Sequence, residues 1–209
     1  MGWYPIVIEV TGRPILVVGG GAVAERKVDG LLAAGAQVTV LAPDLTARLH
    51  AWAAQGRIRH VRRAYRPGDL EGYRLAFAAT DDGGVNAALA REARERSVWL
   101  NAADDPGHSD FILPSVLRRG EIVVAVTTGG ASPALARAVR EELEAHLTED
   151  YAVLASIVAE VRRAVRQRPD PPNAEAWRHA IDDGLRRLVA EGKRDEATAL
   201  LRERLRAGA

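Results

Sequence analysis

Through the first 113 residues, short apolar runs alternate with stretches whose apolar positions recur every three to four residues. The runs predict strands at Ile6–Val10, Ile15–Val18, Gln37–Leu41, Ile58–Val61, Leu75–Ala79 and Val98–Asn101. Helices are expected between them, over about 22–34, 44–54 and 83–96. Such alternation favours a mostly parallel sheet with helices on both faces. One further run, Ile122–Val126, follows the turn Arg118-Arg119-Gly120-Glu121. From Ser132 onward the period is helical. A stripe of Leu135, Val139, Leu143 and Leu147 marks a helix from Pro133, and a second helix covers about 151–167. Pro169-Asp170-Pro171-Pro172 must interrupt the helix, since proline lacks a donor and restricts the residue before it. Two more helices are expected near 174–190 and 194–206, separated around Gly192. The predicted fold class is α/β: a Rossmann-type doubly wound sheet over 1–113, a connecting region over 114–147, and a helical C-terminal domain over 148–209.

Composition narrows the chemistry. With 209 residues, 47% of them hydrophobic and 27% charged, the chain can bury a core without staples. The absence of cysteine excludes disulfides, zinc–thiolate sites, iron–sulfur clusters and cysteine nucleophiles. No set of histidines and carboxylates stands out as a metal site. A formal net charge of +1 gives no general reason to expect nucleic acid or an anionic membrane as partner. No apolar run reaches the roughly 20 residues needed to cross a bilayer, and the start lacks a basic segment followed by a long apolar core. A cytoplasmic location is expected. Lys27 and Lys193 are the only lysines among 29 basic residues. Genome composition accounts for that bias, and arginine forks also suit a carboxylate-rich ligand.

The most informative local pattern is Gly19-Gly20-Gly21-Ala22-Val23-Ala24, directly after the Ile15–Val18 run and before a helix. G-x-G-x-x-A in that context is a dinucleotide-binding fingerprint. Gly19 permits the turn, Gly21 lets the backbone approach a pyrophosphate, and Ala24 keeps the helix close to the sheet. The amides near Ala22 and Val23 then face the phosphates at the positive end of the helix dipole. The second strand ends at Leu41-Ala42-Pro43-Asp44, about where dinucleotide enzymes place an acid for the ribose. Asp44 either reaches the ribose or caps the next helix. No basic residue occupies that strand end, which favours NAD over NADP, while Arg48 keeps NADP open. Thr80-Asp81-Asp82 ends another strand at the same sheet edge. Thr80 is a candidate cofactor contact, and Asp82 suits a helix N-cap.

Two further loops remain. Asn101-Ala102-Ala103-Asp104-Asp105-Pro106-Gly107-His108 follows the last strand of the sheet and opens toward the nicotinamide end of the crevice. Asp104 is placed there to exchange a proton, with Asp105 as a like-charged neighbour able to raise its pKa. A solvated Asp-Asp-Pro-Gly turn explains the same residues without chemistry. Thr127-Thr128-Gly129-Gly130-Ala131-Ser132-Pro133 closes another strand. Ser132 and Pro133 suit the first positions of a helix. Two hydroxyls with two glycines also form a concave donor surface suited to carboxylate or phosphate.

As an ordered set these motifs resemble the precorrin-2 dehydrogenase/sirohydrochlorin ferrochelatase family, the module at the N-terminus of siroheme synthases. The resemblance is carried by Tyr4-Pro5-Ile6, Val17 to Gly21 with Val23 to Lys27, and Ala78 to Asp82 with Val85-Asn86. Asn101 and Asp104, Phe111 to Ser115, Val124 to Val126, Gly129-Gly130 and Ser132-Pro133 complete it. It implies a homodimer whose dimerisation region lies near 114–147, and oxidation of precorrin-2 to sirohydrochlorin with hydride passing to NAD⁺. Asp104 matches the family's proton-handling aspartate. Gly19, Gly21, Ala22, Val23, Ala24, Pro43, Asp44 and Thr80 become cofactor contacts. Asn101, Asp105, Ser115, Thr128, Gly129, Gly130 and Ser132 become contacts to a tetrapyrrole bearing eight carboxylates. Some members also insert ferrous iron in the same cleft, and the motifs are compatible with either repertoire. The methyltransferase domain of the fused enzymes is expected to be absent from 209 residues. A non-catalytic module that senses NAD or NADH explains the glycine loop equally well, but leaves Asn101–Asp104 and Thr127–Pro133 without a task.

Overall fold

The run Pro14–Val18 (β1) is buried from Ile15 onward, because strands cover it on both sides and helices lie above and below. A computed structural model describes residues 2–103 and 105–207. In it the chain divides into two units, Met1–Leu113 and Pro114–Ala209.

In the first unit β1 is joined by Gln37–Leu41 (β2), Ile58–Val61 (β3), Leu75–Ala78 (β4) and Trp99–Ala102 (β5). All pairs are parallel and the order is β3-β2-β1-β4-β5. The chain moves outward from β1 to β3, then crosses to the other side of β1 for β4. That reversal opens a crevice at the carboxyl ends of β1 and β4, where ligands bind in open α/β sheets. Helices Ala22–Ala33 (α1) and Ala47–Ala54 (α2) close one face of the sheet around Ile15, Val17, Val28, Val40 and Leu49. Helix Gly83–Arg96 (α3) closes the other around Leu16, Leu89, Ala93 and Leu100.

Ile6–Val10 is not a strand. Every position beside β1 is already taken by β2 and β4, and Val7 is 96% exposed. Only Val10 packs against the core, just before the turn at Gly12. The helix expected from residue 44 starts at Ala47, because Thr46 is its cap and accepts from the Leu49 amide.

The second unit begins with a hairpin of Ser115–Arg119 (β6) and Ile122–Val126 (β7). The β6 strand lies outside the strands expected from the pattern. Its turn has Gly120 at positive φ in the first central position, as a two-residue hairpin loop requires. Helix Pro133–His146 (α4) packs against the hairpin. Helices Asp150–Val165 (α5), Ala174–Ala180 (α6), Asp183–Ala190 (α7) and Arg194–Ala207 (α8) enclose a core of Ile157, Val161, Leu185, Leu201 and Leu205. The helix expected over 174–190 is therefore two. Asp182 breaks it by accepting from the Leu185 amide as a new N-cap while pairing with Arg204.

Candidate functional site

The crevice of the first unit holds a cavity of about 740 Å³ at the carboxyl ends of β1, β2 and β4. Its floor is the glycine loop. Gly19 donates its amide to Leu41 O at 3.0 Å while Ala79 donates to Val18 O at 2.7 Å, so the turn leaves β1 wedged between two neighbours. A Cβ on Gly19, which has φ +124°, would lie 2.1 Å from Ala79 O. One on Gly20 would lie 1.9 Å from Asp44 O. Gly21 differs: a Cβ there meets no protein atom within 4 Å, although the residue lines the cavity and caps α1. The first two glycines answer to the packing of the protein, and the third borders open space in the cavity. A pyrophosphate at the start of α1 fits that opening.

The turn is braced from the side. Thr46 donates its amide to Gly20 O at 2.9 Å and its hydroxyl to Glu25 at 2.5 Å. Arg48 stands 3.7 Å from Glu25 and 3.0 Å from Asp29. Because Thr46 caps α2, Asp44 is free of that role. Its carboxylate is 90% exposed on the cavity rim, 4.0 Å from Arg62.

Of the residues expected to hold the cofactor, Gly19, Gly21, Ala22, Val23, Pro43, Asp44 and Thr80 all line this cavity. Ala24 does not; it is fully buried under the sheet face. The Thr80 hydroxyl accepts from the Asp82 amide, and Asp82 caps α3 by accepting from Gly84 and Val85.

One wall lay outside the expectations. Ala64 and Tyr65 close the cavity from the segment after β3. That segment is fastened to Glu92, a buried carboxylate on α3. Glu92 accepts from the Tyr65 hydroxyl and from the amides of Gly68 and Leu70, and pairs with Arg96 at 2.8 Å. Burial pushes its pKa up, but these donors and the arginine outweigh it and hold the carboxyl below its ordinary value. The Tyr65 hydroxyl is pushed well up, by burial first and by Glu92 next. In sequence Glu92 reads as one charge on a charged helix; the clue was its place among Leu89, Ala90 and Ala93 on the buried face.

Beyond β5 the chain forms a loop stitched at its base. Leu100 and Asp110 exchange two bonds of 2.8 Å, one through the Asp110 carboxylate. Ser109 accepts from the Ala102 amide at 2.9 Å, and Asn101 donates its side-chain amide to Phe111 O at 2.9 Å. The other end of the Asn101 amide accepts from Lys27 at 2.7 Å. Asp104 lies outside the described residues. Asp105 pairs with His108 at 2.6 Å, and that hydrogen bond holds its carboxyl below the ordinary range.

In the second unit Ser115 begins β6, half-buried. Thr128 accepts from the Ser132 amide at 2.8 Å and donates to Ser132 O at 3.0 Å. Ser132 accepts from the Leu135 amide, and Pro133 takes the first helical turn. Gly129 and Gly130 sit at positive φ between them. Among the described residues no cluster of three or more histidines and carboxylates could hold a metal ion.

A family model described as putative NAD(P)-binding matches residues 6–115. The chain belongs to that family. A second model, sirohaem biosynthesis protein central, matches residues 119–146. The siroheme synthase of Methylococcus capsulatus is 40% identical over 205 residues, 97% of this chain and 43% of that protein. The siroheme synthase of Methylobacillus flagellatus is 46% identical over 168 residues, 80% of this chain and 36% of that protein. The chain thus spans less than half the length of these curated relatives. Among solved structures, SirC, precorrin-2 dehydrogenase, superposes with a TM-score of 0.79 at 28% identity, covering 96% of this chain and 100% of that one. The family read from the motifs and the Rossmann-type α/β fold are both borne out.

Proposed function

We propose that this chain oxidises precorrin-2 to sirohydrochlorin with NAD⁺, a step of siroheme biosynthesis. The observation that carries the reading is the cavity over Gly21, built at the carboxyl edge of a parallel sheet in a chain that superposes along its length on a precorrin-2 dehydrogenase. Bound there, NAD⁺ supplies the hydride acceptor. The amides of Ala22 and Val23 would hold its pyrophosphate, and Pro43, Asp44 and Thr80 would flank its remaining parts. Asp104, in the loop after β5, would take the proton released as the hydride leaves. Asp105, Ser115, Thr128, Gly129, Gly130 and Ser132 are the candidate tetrapyrrole contacts. Asn101 joins them as the residue that closes the loop.

A second copy of the chain fits the hairpin of the 114–147 region. Val116 and Val123 lie on the same exposed face of a two-stranded ribbon, 40% and 43% exposed, with Ala125 beside them. Covering that face by homodimerisation would remove apolar surface from water. Among the described residues no helix is long and apolar enough to cross a membrane; a cytoplasmic location without lipid or nucleic-acid partners is part of the proposal.

Purified protein mixed with NAD⁺ and precorrin-2 is expected to give NADH and the absorption of sirohydrochlorin together. Dinucleotide binding without either product would leave the sensing module as the better reading. Adding Fe²⁺ to sirohydrochlorin with and without the protein tests iron insertion as a separate activity.

A further inference from the structure

We infer that Lys27 is a positioning residue for the loop after β5, acting through the side-chain amide of Asn101. The inference rests on the dehydrogenase reading above for its meaning in catalysis, but its structural part stands apart from it.

Lys27 lies on α1, in the second turn behind the amides that line the cofactor cavity. Its side chain crosses the sheet face past Phe77, with Nζ 5.2 Å from the ring centroid, and donates to Asn101 Oδ1 at 2.7 Å. Asn101 is buried and donates Nδ2 to Phe111 O at 2.9 Å. The amide therefore stands between a group that can only donate and a group that can only accept. An ammonium has no lone pair and a carbonyl has no proton, so one orientation satisfies both and the flipped one satisfies neither. Lys27 sets which way the amide faces, and the amide closes the two ends of the 102–110 loop on each other.

The residue type fits the task. The chain uses arginine for nearly all its basic positions, and Lys193, the other lysine, is solvated beside Glu191. At position 27 a compact ammonium on a flexible stem passes the Phe77 ring face and reaches the Asn101 oxygen. A planar guanidinium directs its donors as a fork and is not equivalent there. The arrangement ties the helix that begins at the phosphate site to the loop in which Asp104 lies three residues beyond Asn101.

The test compares Lys27→Met, which keeps the stem and removes charge and donors, with Lys27→Arg, Asn101→Leu and the Lys27→Met/Asn101→Leu double variant. In hydrogen exchange, Lys27→Met is expected to speed the amides of Leu100, Ala102 and Asp110 at least tenfold while the β1–β2 amides stay as in wild type. That readout needs no substrate, and unchanged exchange there overturns the proposal. In turnover, kcat is expected to fall roughly tenfold to a hundredfold, as misplacement of a reacting group does, with NAD affinity within about twofold. Lys27→Arg should not restore it. The double variant should be no slower than the slower single one, since both break one chain of contacts. Additive losses, rescue by arginine, or a parallel loss of NAD affinity would each overturn the assignment. A wild-type protein that leaves precorrin-2 untouched would instead count against the dehydrogenase reading, with the exchange result still deciding the role of Lys27.

Discussion

The hydroxyl of Tyr65 donates to the carboxylate of Glu92, whose side chain is only 7% exposed. The same carboxylate takes the Gly68 and Leu70 amides, so a single buried charge fastens one wall of the cavity to α3. Replacing it strands several donors at once, and a buried donor left unpaired costs about 1–3 kcal/mol. Glu92→Leu is expected to lower the denaturation midpoint markedly and to weaken NAD binding with it. Glu92→Gln should fall between, since it keeps an acceptor. The effect has a pH signature. The folded carboxyl titrates below its ordinary value of 4.5, so its stabilisation is fully present above that value and is lost as pH falls through the depressed one. Urea midpoints of wild type and Glu92→Gln should therefore keep a steady gap from pH 7 to about 4.5 and converge as pH falls further through the depressed value. A gap that persists well below pH 4.5 would mean that the charge itself contributes nothing.

Gly20 and Gly21 are neighbours with opposite reasons for being glycine. A Cβ on Gly20 would collide with the Asp44 carbonyl, backbone that cannot give way cheaply. Gly20→Ala should disturb the turn itself, with a lower thermal midpoint even without ligand. Gly21→Ala adds its methyl to open space and should cost the apo protein no more than about 1 kcal/mol as an altered cap. Its NAD affinity should nevertheless fall at least tenfold, and Gly21→Asp should abolish binding through crowding and charge. Melting curves with calorimetry separate the two positions. Unchanged NAD affinity in Gly21→Asp would remove the pyrophosphate from this turn.

The two glycines also show which parts of the molecule can be read from sequence. A strand, a glycine turn and a helix start lie within a dozen residues, so their chemistry is local and the pattern carries it. Helix α2 was harder: Asp44 and Thr46 are both good caps, and only the bond from Leu49 decides for Thr46. The break between α6 and α7 was hidden for a similar reason. Asp182 and Asp183 are consistent with one amphipathic helix until Arg204, distant in sequence, reaches Asp182. Ile6–Val10 has the apolar content of a strand but no free sheet position to occupy. Glu92 and Lys27 act on partners more than 20 and 70 residues away, at separations where periodicity says nothing.

Asp44 sets an expectation about cofactor choice. Its exposed carboxylate on the cavity rim would repel the 2′-phosphate of NADP, while Arg62 at 4.0 Å partly offsets that charge. Wild type should bind NAD more tightly than NADP. Asp44→Ala should narrow the preference by about tenfold, or about 1.4 kcal/mol, and Arg62→Ala should widen it. Calorimetric titration of both dinucleotides measures this directly. A preference untouched by Asp44→Ala would place the adenosine ribose elsewhere.

The exposed face of the β6–β7 ribbon makes the oligomeric state testable without any substrate. Val123 pairs across the ribbon with Arg118, and Val116 with Ala125. The positive charge of Val116→Lys or Val123→Lys, on the same face as Arg118, would be buried unpaired in a dimer built on this face and solvated in a monomer. Val123→Lys is expected to sediment as a monomer at concentrations where the proposed wild-type dimer forms, with unchanged helix content. A dimer that survives both Val116→Lys and Val123→Lys would have to use another surface.

In the proposed reaction, the proton that leaves as precorrin-2 is oxidised needs a base within reach of the hydride-transfer centre, and the resemblance assigns that task to Asp104. Among the described residues, the loop that contains it is anchored by bonds from Leu100, Asn101 and Ala102. Removing the Asp104 carboxylate removes the proposed base. Asp104→Ala is expected to bind NAD as wild type does and to turn over roughly 10²-fold more slowly or worse, the usual loss with a general base. Asp104→Asn, which keeps the shape but cannot accept the proton, should be no better. Stopped-flow measurement of NADH formation at saturating NAD⁺ reads the chemical step apart from binding. Wild-type turnover in either variant would take Asp104 out of the mechanism and turn attention to Asp105, whose carboxylate is engaged by His108.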